Sequence, residues 1–288
     1  MYKIGEFKFE IEGISGEMMP FNLSKFKKTG IADYHYQIKM ADKIVLSDEN
    51  FTVNKPGILI KIEDELETRY LSLPGDNQFY GRCKEIDKNN TEIQFNQNYQ
   101  KYLKIDTVFN SLLSLERRMN EHNCYVLHSS YIVYKDEAIL FSAPSGTGKS
   151  TQADLWKKYR DIRIINGDRT LLTYEEGKFY ANGWPICGSS EICHNERYPL
   201  KAIVMLDQGP INEIRELSNI EKTKRLIQEI TINYHNQGYL DNALSFIDKL
   251  IAKIPIINLS CTISEEAVDV LDSFLKEVGP IREKMKAG

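Results

Sequence analysis

At the front of the chain, apolar and polar positions alternate over short runs. In residues 7–11, Phe7, Phe9 and Ile11 fall on one side and Lys8 and Glu10 on the other, the period-two mark of a half-buried strand. Residues 34–38, 58–62 and 70–73 are further β-rich runs, separated by turn-like stretches at 47–50, 74–77 and 87–90. No helix-period segment interrupts them. Residues 1–104 are therefore expected to form a small antiparallel β-rich domain whose aromatic side chains pack across strands.

The period changes at residue 105. Ile105, Val108, Phe109, Leu112, Leu113, Leu115 and Met119 recur mostly at three and four, which predicts one amphipathic helix and a connecting segment over 105–123. Residues 124–134 and 138–141, joined through Lys135-Asp136-Glu137, read as a hairpin. Strands and helices then mix: buried strands at 162–165, 202–206 and 256–259, and helices over about 219–230 and 240–253. Ser218 and Glu221 form a capping box for the first of these helices. Ser264 caps a last helix with Glu265 and Glu266 in its first turn, where the helix dipole favours acids. Residues 124–288 are expected to form the second domain, and the expected fold class is α/β with a mixed (α+β) sheet.

Composition narrows the classes. The chain has 288 residues, 42% hydrophobic and 27% charged, enough apolar material for a core and a length for one large domain or two modest ones. Lys and Arg number 37 against 41 Asp and Glu, a net charge of −4, so no overall positive field favours nucleic acid. No run approaches the ~20 apolar residues of a membrane helix, and the N-terminus lacks a signal-peptide core. Five scattered cysteines (Cys83, Cys124, Cys187, Cys193 and Cys261) suit a reducing, cytoplasmic setting. Cys187 and Cys193-His194 match no common zinc spacing and are expected to be small buried or loop residues.

The informative chemistry is in Ala143-Pro144-Ser145-Gly146-Thr147-Gly148-Lys149-Ser150-Thr151, between an apolar strand and the helical run from Gln152 to Trp156. Gly146 and Gly148 permit a tight loop with inward-pointing N–H groups, and the helix N-terminus adds positive partial charge. Lys149 supplies a charge for the terminal phosphates and Ser150 a hydroxyl for Mg²⁺. The pattern G-x-x-x-x-G-K-[ST] departs at its first position, Ala143, whose backbone must therefore take an ordinary conformation. Asp168, expected at a strand end, suits Mg²⁺; it also suits a turn after Asn166-Gly167. His128 lies in the strand before the loop strand, where a histidine is either functional or merely packed. Arg169 either neutralises phosphate or pairs on the surface. Residues 183–197 form a long loop with Trp184, Ser189, Ser190 and Arg197 as candidate acceptor contacts; a surface loop with its own packing is the other reading.

This order of His128-Ser-Ser, hairpin, phosphate-loop strand and strand ending in Asp168 resembles the phosphoenolpyruvate carboxykinase-like superfamily over about residues 124–278. The smaller members look closest: the catalytic domain of HPr kinase/phosphorylase and its bacterial relatives. His128 precedes Lys149 by 21 residues, and a histidine about that far before the lysine lies in the family's active site. The resemblance implies a P-loop core using ATP, or another nucleoside triphosphate, with Mg²⁺. It makes His128, Lys149, Asp168 and Arg169 the catalytic candidates, residues 144–151 the nucleotide loop, and Ser150 and Asp168 the metal ligands. The family's Asp-Asp pair reads Gly167-Asp168 here, so the carboxylate implicated as general base is missing, and Asp168, His128 or another segment must serve. The signature loop that would assign HPr as substrate is not found.

The expected activity is phosphoryl transfer to a hydroxyl, a serine on a small protein or peptide, or else a small molecule. The alternative is a nucleotide-binding regulatory module without transfer. An ordinary P-loop switch would need a parallel sheet and a distinct hydrophobic-strand-plus-Asp motif followed by base-reading motifs, which are not found. A carboxykinase would need a longer chain. The resemblance also implies possible homo-oligomers, and the N-terminal domain is expected to present or recognise the acceptor.

Overall fold

Period-two patterning at the front of the chain yields eight strands in the computed structural model, which describes residues 1–47 and 50–277. The turn expected at 47–50 lies partly outside the described residues. The strands are β1 (Tyr2–Ile4), β2 (Phe7–Glu12), β3 (Tyr34–Ala41), β4 (Val53–Lys55), β5 (Ile58–Glu63), β6 (Leu66–Ser72), β7 (Phe79–Glu85) and β8 (Asn90–Asn96), in the sheet order β1-β2-β3-β8-β7-β6-β5-β4. Phe7, Phe9, Tyr34, Tyr36 and Ile38 are buried on its inner face. The sheet is mixed, which corrects the expected antiparallel arrangement: β2 with β3 and β3 with β8 run parallel. Alternation reports which face is buried and carries no strand direction. The chain between β2 and β3, with the short helix α1 (Phe21–Ser24), is long enough for the crossover a parallel pair requires.

This unit comprises Met1–His122 with Asn233–Leu240. The helix expected over 105–120 is two helices, α2 (Asp106–Leu113) and α3 (Leu115–Glu121), because Ser114 takes a left-handed conformation with φ of 52°. No glycine or proline marks that break. The Tyr36 hydroxyl and the Cys83 thiol donate to the carbonyls of Leu113 and Leu112, tying α2 to the sheet. Arg117 and Arg118 on α3 are buried against Glu85, and Arg117 also meets Glu67. Glu67 further holds Arg69 and, at 3.0 Å, His235.

The second unit comprises Asn123–Ile232 and the described chain from Asp241. It holds β9 (Tyr125–Tyr134), β10 (Glu137–Ser142), α4 (Lys149–Arg160), β11 (Arg163–Asn166), β12 (Arg169–Glu175), β13 (Lys178–Asn182), β14 (Arg197–Gln208), β15 (Glu213–Glu216), α5 (Asn219–Glu229) and β16 (Ile230–Thr231). Then follow α6 (Gln237–Lys253), which belongs to this unit from Asp241 on, β17 (Ile256–Cys261) and α7 (Glu265–Glu277). Its sheet is also mixed. Lys135 and Asp136, both with positive φ, make the two-residue turn that joins β9 to β10. Strand β10 lies between β9, antiparallel, and β14, parallel, and β14 continues to β17, again parallel. Ile132, Ile139, Phe141, Val204 and Leu206 cover one face of these strands, against Ala153 and Trp156 of α4 and Val268 and Leu271 of α7. No helix among the described residues is long and apolar enough to cross a membrane.

Strand β9 forks. Its first half, Tyr125 to His128, pairs with β12, and from Ser129 onward it pairs with β10. Neighbouring strands diverge at such a fork and leave a crevice at their ends, the kind of place where α/β sheets bind ligands.

Burial pushes the Glu67 carboxyl up, but Arg69, His235 and Arg117 more than reverse this and hold it at about 2. A carboxyl depressed below its unfolded value of roughly 4.3 adds stability above that pH and loses it as the pH falls toward 2. Glu67→Gln should therefore cost about 3–5 kcal/mol at neutral pH, and the gap from the native chain should narrow as urea unfolding is followed down to pH 3. An equal gap at both pH values would contradict this.

Candidate functional site

The loop between β10 and α4 turns on two glycines with positive φ, Gly146 at 81° and Gly148 at 115°. A Cβ at either would meet nothing within 4 Å, so that side of the loop is open. Ala143, the departure from the motif, is not among the positive-φ residues. Pro144, Ser145 and Gly146 are exposed, and Thr147 N–H donates to the Pro144 carbonyl, closing the turn. Helix α4 then starts at Lys149, with Ser150 and Thr151 in its first turn. Lys157, Lys158 and Arg160 complement the dipole at its far end.

The Lys149 side chain is buried and folds back, its ammonium donating to the carbonyls of Ala143 at 2.8 Å and Pro144 at 3.3 Å. Burial pulls the ammonium below its usual range, opposed by the charges of Glu229 and Asp168. Backbone carbonyls thus hold a cation where a phosphate loop would hold anionic oxygens.

His128, at the fork of β9, comes to the same place. Its Nε2 is 3.3 Å from Asp168 Oδ1, and its Nδ1 is 2.9 Å from Glu229 Oε2 at the end of α5. The contact with His128 holds the Asp168 carboxyl below the usual range, against the effect of burial, and Arg169 and Lys149 add to the lowering. Arg169 lies opposite His128 in the β9–β12 pairing, its Nε 3.3 Å from Asp168 Oδ2. Four sequence candidates, His128, Lys149, Asp168 and Arg169, therefore share one cluster.

Asp168 is not at the end of a strand. It lies in the turn between β11 and β12, which the buried side chain of Asn166 shapes. Asn166 Oδ1 accepts the N–H groups of Asp168 and Arg169, and Nδ2 donates to the carbonyls of Trp184 and Ile186. The Gly167 carbonyl accepts from Ser130 at 2.8 Å and Ser150 at 3.2 Å, joining β9 and α4 to the turn. Sequence reasoning missed Asn166 and Glu229. The first was read only as a turn former. Nothing but its place at the end of a capped helix marked the second.

The segment 183–197 divides. Trp184 is wholly buried and Arg197 pairs with Glu175, so neither reaches this cluster. Ser190 does: a Cβ added at Gly167 would lie 2.0 Å from its Oγ and 2.3 Å from its Cβ. The backbone of Gly188 passes so close that a Cβ there would meet Asp168 Cγ at 3.0 Å. Cys187 and Cys193 are buried, and the Cys193 thiol donates to the Trp184 carbonyl. Among the described residues no three His, Cys, Asp or Glu side chains are grouped to hold a metal by themselves. A site made from Ser150 and Asp168 would draw its remaining ligands from phosphate and water, as Mg²⁺ sites do.

One expectation needs correction. A hydrophobic strand ending in Asp is present: β14 runs Leu200-Lys-Ala-Ile-Val-Met-Leu206 into Asp207, parallel to β10. Arg225 on α5 grips Asp207 with both terminal nitrogens, at 3.1 and 2.7 Å, and Asn258 adds a bond at 2.8 Å.

A family model described as "SynChlorMet cassette protein ScmC" matches residues 93–276, more than half of the chain and the whole of this cluster. No curated protein matches the chain. Among solved structures, that of the Hpr(Ser) kinase/phosphatase from Coxiella burnetii is similar at 7% identity and a TM-score of 0.32, covering 54% of this chain and 99% of that one.

The contact at Gly167 gives a stability prediction. Gly167→Ala should cost about 1–3 kcal/mol by overpacking against Ser190. Gly167→Ala with Ser190→Gly should recover most of it, as a double-mutant cycle from urea unfolding would show. Additive losses in the double variant would break the link.

Proposed function

The chain belongs to the ScmC family, and from that footing and the site geometry we propose that it is an ATP- and Mg²⁺-dependent kinase acting on a hydroxyl. We take the acceptor to be a serine on a small protein or peptide. The observation that carries this reading is the open glycine-rich loop with Lys149 drawn onto its Ala143 and Pro144 carbonyls, beside His128 and Asp168.

The residues present fit the nucleotide and metal. The open side of the loop at Gly146 and Gly148 leaves room for phosphate oxygens, and its N–H groups with those of the α4 N-terminus are anion donors. Lys149, released from its two carbonyls, would neutralise the terminal phosphates. Ser150 and Asp168 would hold the metal. Bound together, Mg²⁺ and the triphosphate supply an activated phosphoryl group whose charge is already partly neutralised.

The protein's part is then positioning and charge. Arg169 balances Asp168 and adds positive potential on the phosphate side. Glu229 fixes the ring of His128 through Nδ1 and aims Nε2 into the cluster. Backbone at Gly188 and the Ser190 side chain pack against Asp168 and Gly167 and close that side of the cluster.

A second reading, nucleotide binding without transfer, is favoured by one observation. Ser190 fills the space where a side chain at 167 would stand, so no carboxylate fits there without displacing it. Radiolabelled ATP with candidate peptides separates the two. Transfer by the native chain should fall about 10²–10³-fold in Lys149→Ala and vanish in Asp168→Asn, with circular dichroism unchanged. Full activity in Lys149→Ala would sink the kinase reading. Bound nucleotide with no labelled product from any acceptor would favour the second.

A further inference from the structure

Helix α5 makes a second ion pair with a strand beside the loop strand, which the proposed transfer leaves unused. Arg225 stands one helical turn before Glu229, so both project from the same side of α5. Glu229 reaches His128 on β9, and Arg225 reaches Asp207 on β14. These are the two strands that flank β10, so α5 spans the end of the loop strand from one neighbour to the other.

The register places Arg225 further. Ser142, the last residue of β10, is level with Met205 in the parallel β10–β14 pair, and Asp207 follows two residues further along β14. The Gln208 side chain touches the loop directly, Nε2 donating to the Thr147 carbonyl at 3.4 Å. Lys149 rests its ammonium on the carbonyls of Ala143 and Pro144. The guanidinium of Arg225 is therefore held on Asp207, next in the chain to the residue that touches the loop at Thr147.

We propose that Arg225 is a second phosphate-contacting residue, which reads the terminal phosphate of a nucleoside triphosphate and rests on Asp207 when none is bound. This deepens the kinase reading and depends on it. The pair is partly open to solvent, with Arg225 29% and Asp207 46% exposed, so water screens the attraction between its members. A phosphate offers the same planar fork two oxygens of higher charge, in the geometry guanidinium matches best. The salt bridge is not needed as a brace. Asn258 already fastens the end of β14 through the Met205 carbonyl and Asp207. Helix α5 is held by buried Leu226 and by the bond from Glu229 to His128. A compact ammonium would not reproduce the two-pronged contact.

The test is nucleotide affinity by calorimetry, with Mg²⁺ and either ADP or a non-hydrolysable ATP analogue, in the full chain. The native protein should prefer the triphosphate. Arg225→Ala should lose about tenfold to a hundredfold of that preference, the size of a lost charge-assisted pair, while ADP binding stays within about twofold. Arg225→Lys should recover only part of it. Asp207→Asn, which frees the guanidinium, should keep or raise it. An unchanged preference in Arg225→Ala would overturn the assignment and leave the kinase reading standing. Equal weakening of both nucleotides would overturn it too, making Arg225 a brace. If the native chain and Lys149→Ala bind neither nucleotide, the kinase reading falls and takes this assignment with it.

Discussion

The side-chain amide of Asn166 is completely buried and fully used. Its oxygen accepts two backbone N–H groups, those of Asp168 and Arg169, and its nitrogen donates to the carbonyls of Trp184 and Ile186. A buried amide with unmet bonds costs roughly 1–3 kcal/mol per group, so this turn has little freedom to take another shape. From that one side chain follow the position of the Asp168 carboxylate, the path of the segment that brings Ser190 to Gly167, and the exposure of the Gly167 carbonyl to Ser130 and Ser150. The loop before α4 and the turn after β11 are far apart in sequence. They become one site because serines from β9 and α4 share that carbonyl.

Charges in the site are arranged in alternation. Lys149 feels Glu229 and Asp168, Asp168 touches His128 and Arg169, and Asp207 holds Arg225. Each cation has an internal partner that is weaker than a phosphate would be: a carbonyl for Lys149, a partly exposed carboxylate for Arg225. Such an arrangement lets the ligand-free chain fold without stranded buried charge, which would cost several kcal/mol, and still leaves the cations exchangeable. The lowered affinity of Lys149 for its proton is the mark of this compromise, because its two carbonyls replace only part of its lost hydration.

Much of this was legible in the residues themselves. The alternation in 7–11 and the runs at 34–38 and 58–62 gave strands, Ser218 and Glu221 gave their capping box, and the hairpin through Lys135 and Asp136 is where the turn residues put it. Local chemistry has local signs. Strand direction does not, so the parallel pairs of the first sheet were unreadable. Neither does a left-handed serine, and the break at Ser114 passed unseen. Strands β12 and β13 were missed because their apolar runs are short and bounded by charge. Within the site, the loop was the legible part, since glycine, lysine and serine spacing is itself the geometry. Glu229 and Arg225 were illegible because their meaning depends on where α5 comes to rest, which is tertiary packing.

That resting place also explains how one helix can matter to a loop it does not belong to. Arg225 and Glu229 face the same way, four residues apart, and their partners stand on the two strands beside β10. A shift of α5 by a fraction of a turn would release Asp207 and unseat the His128 ring together. The Asp207 side and the His128 side of the cluster are thus joined through one helix, α5.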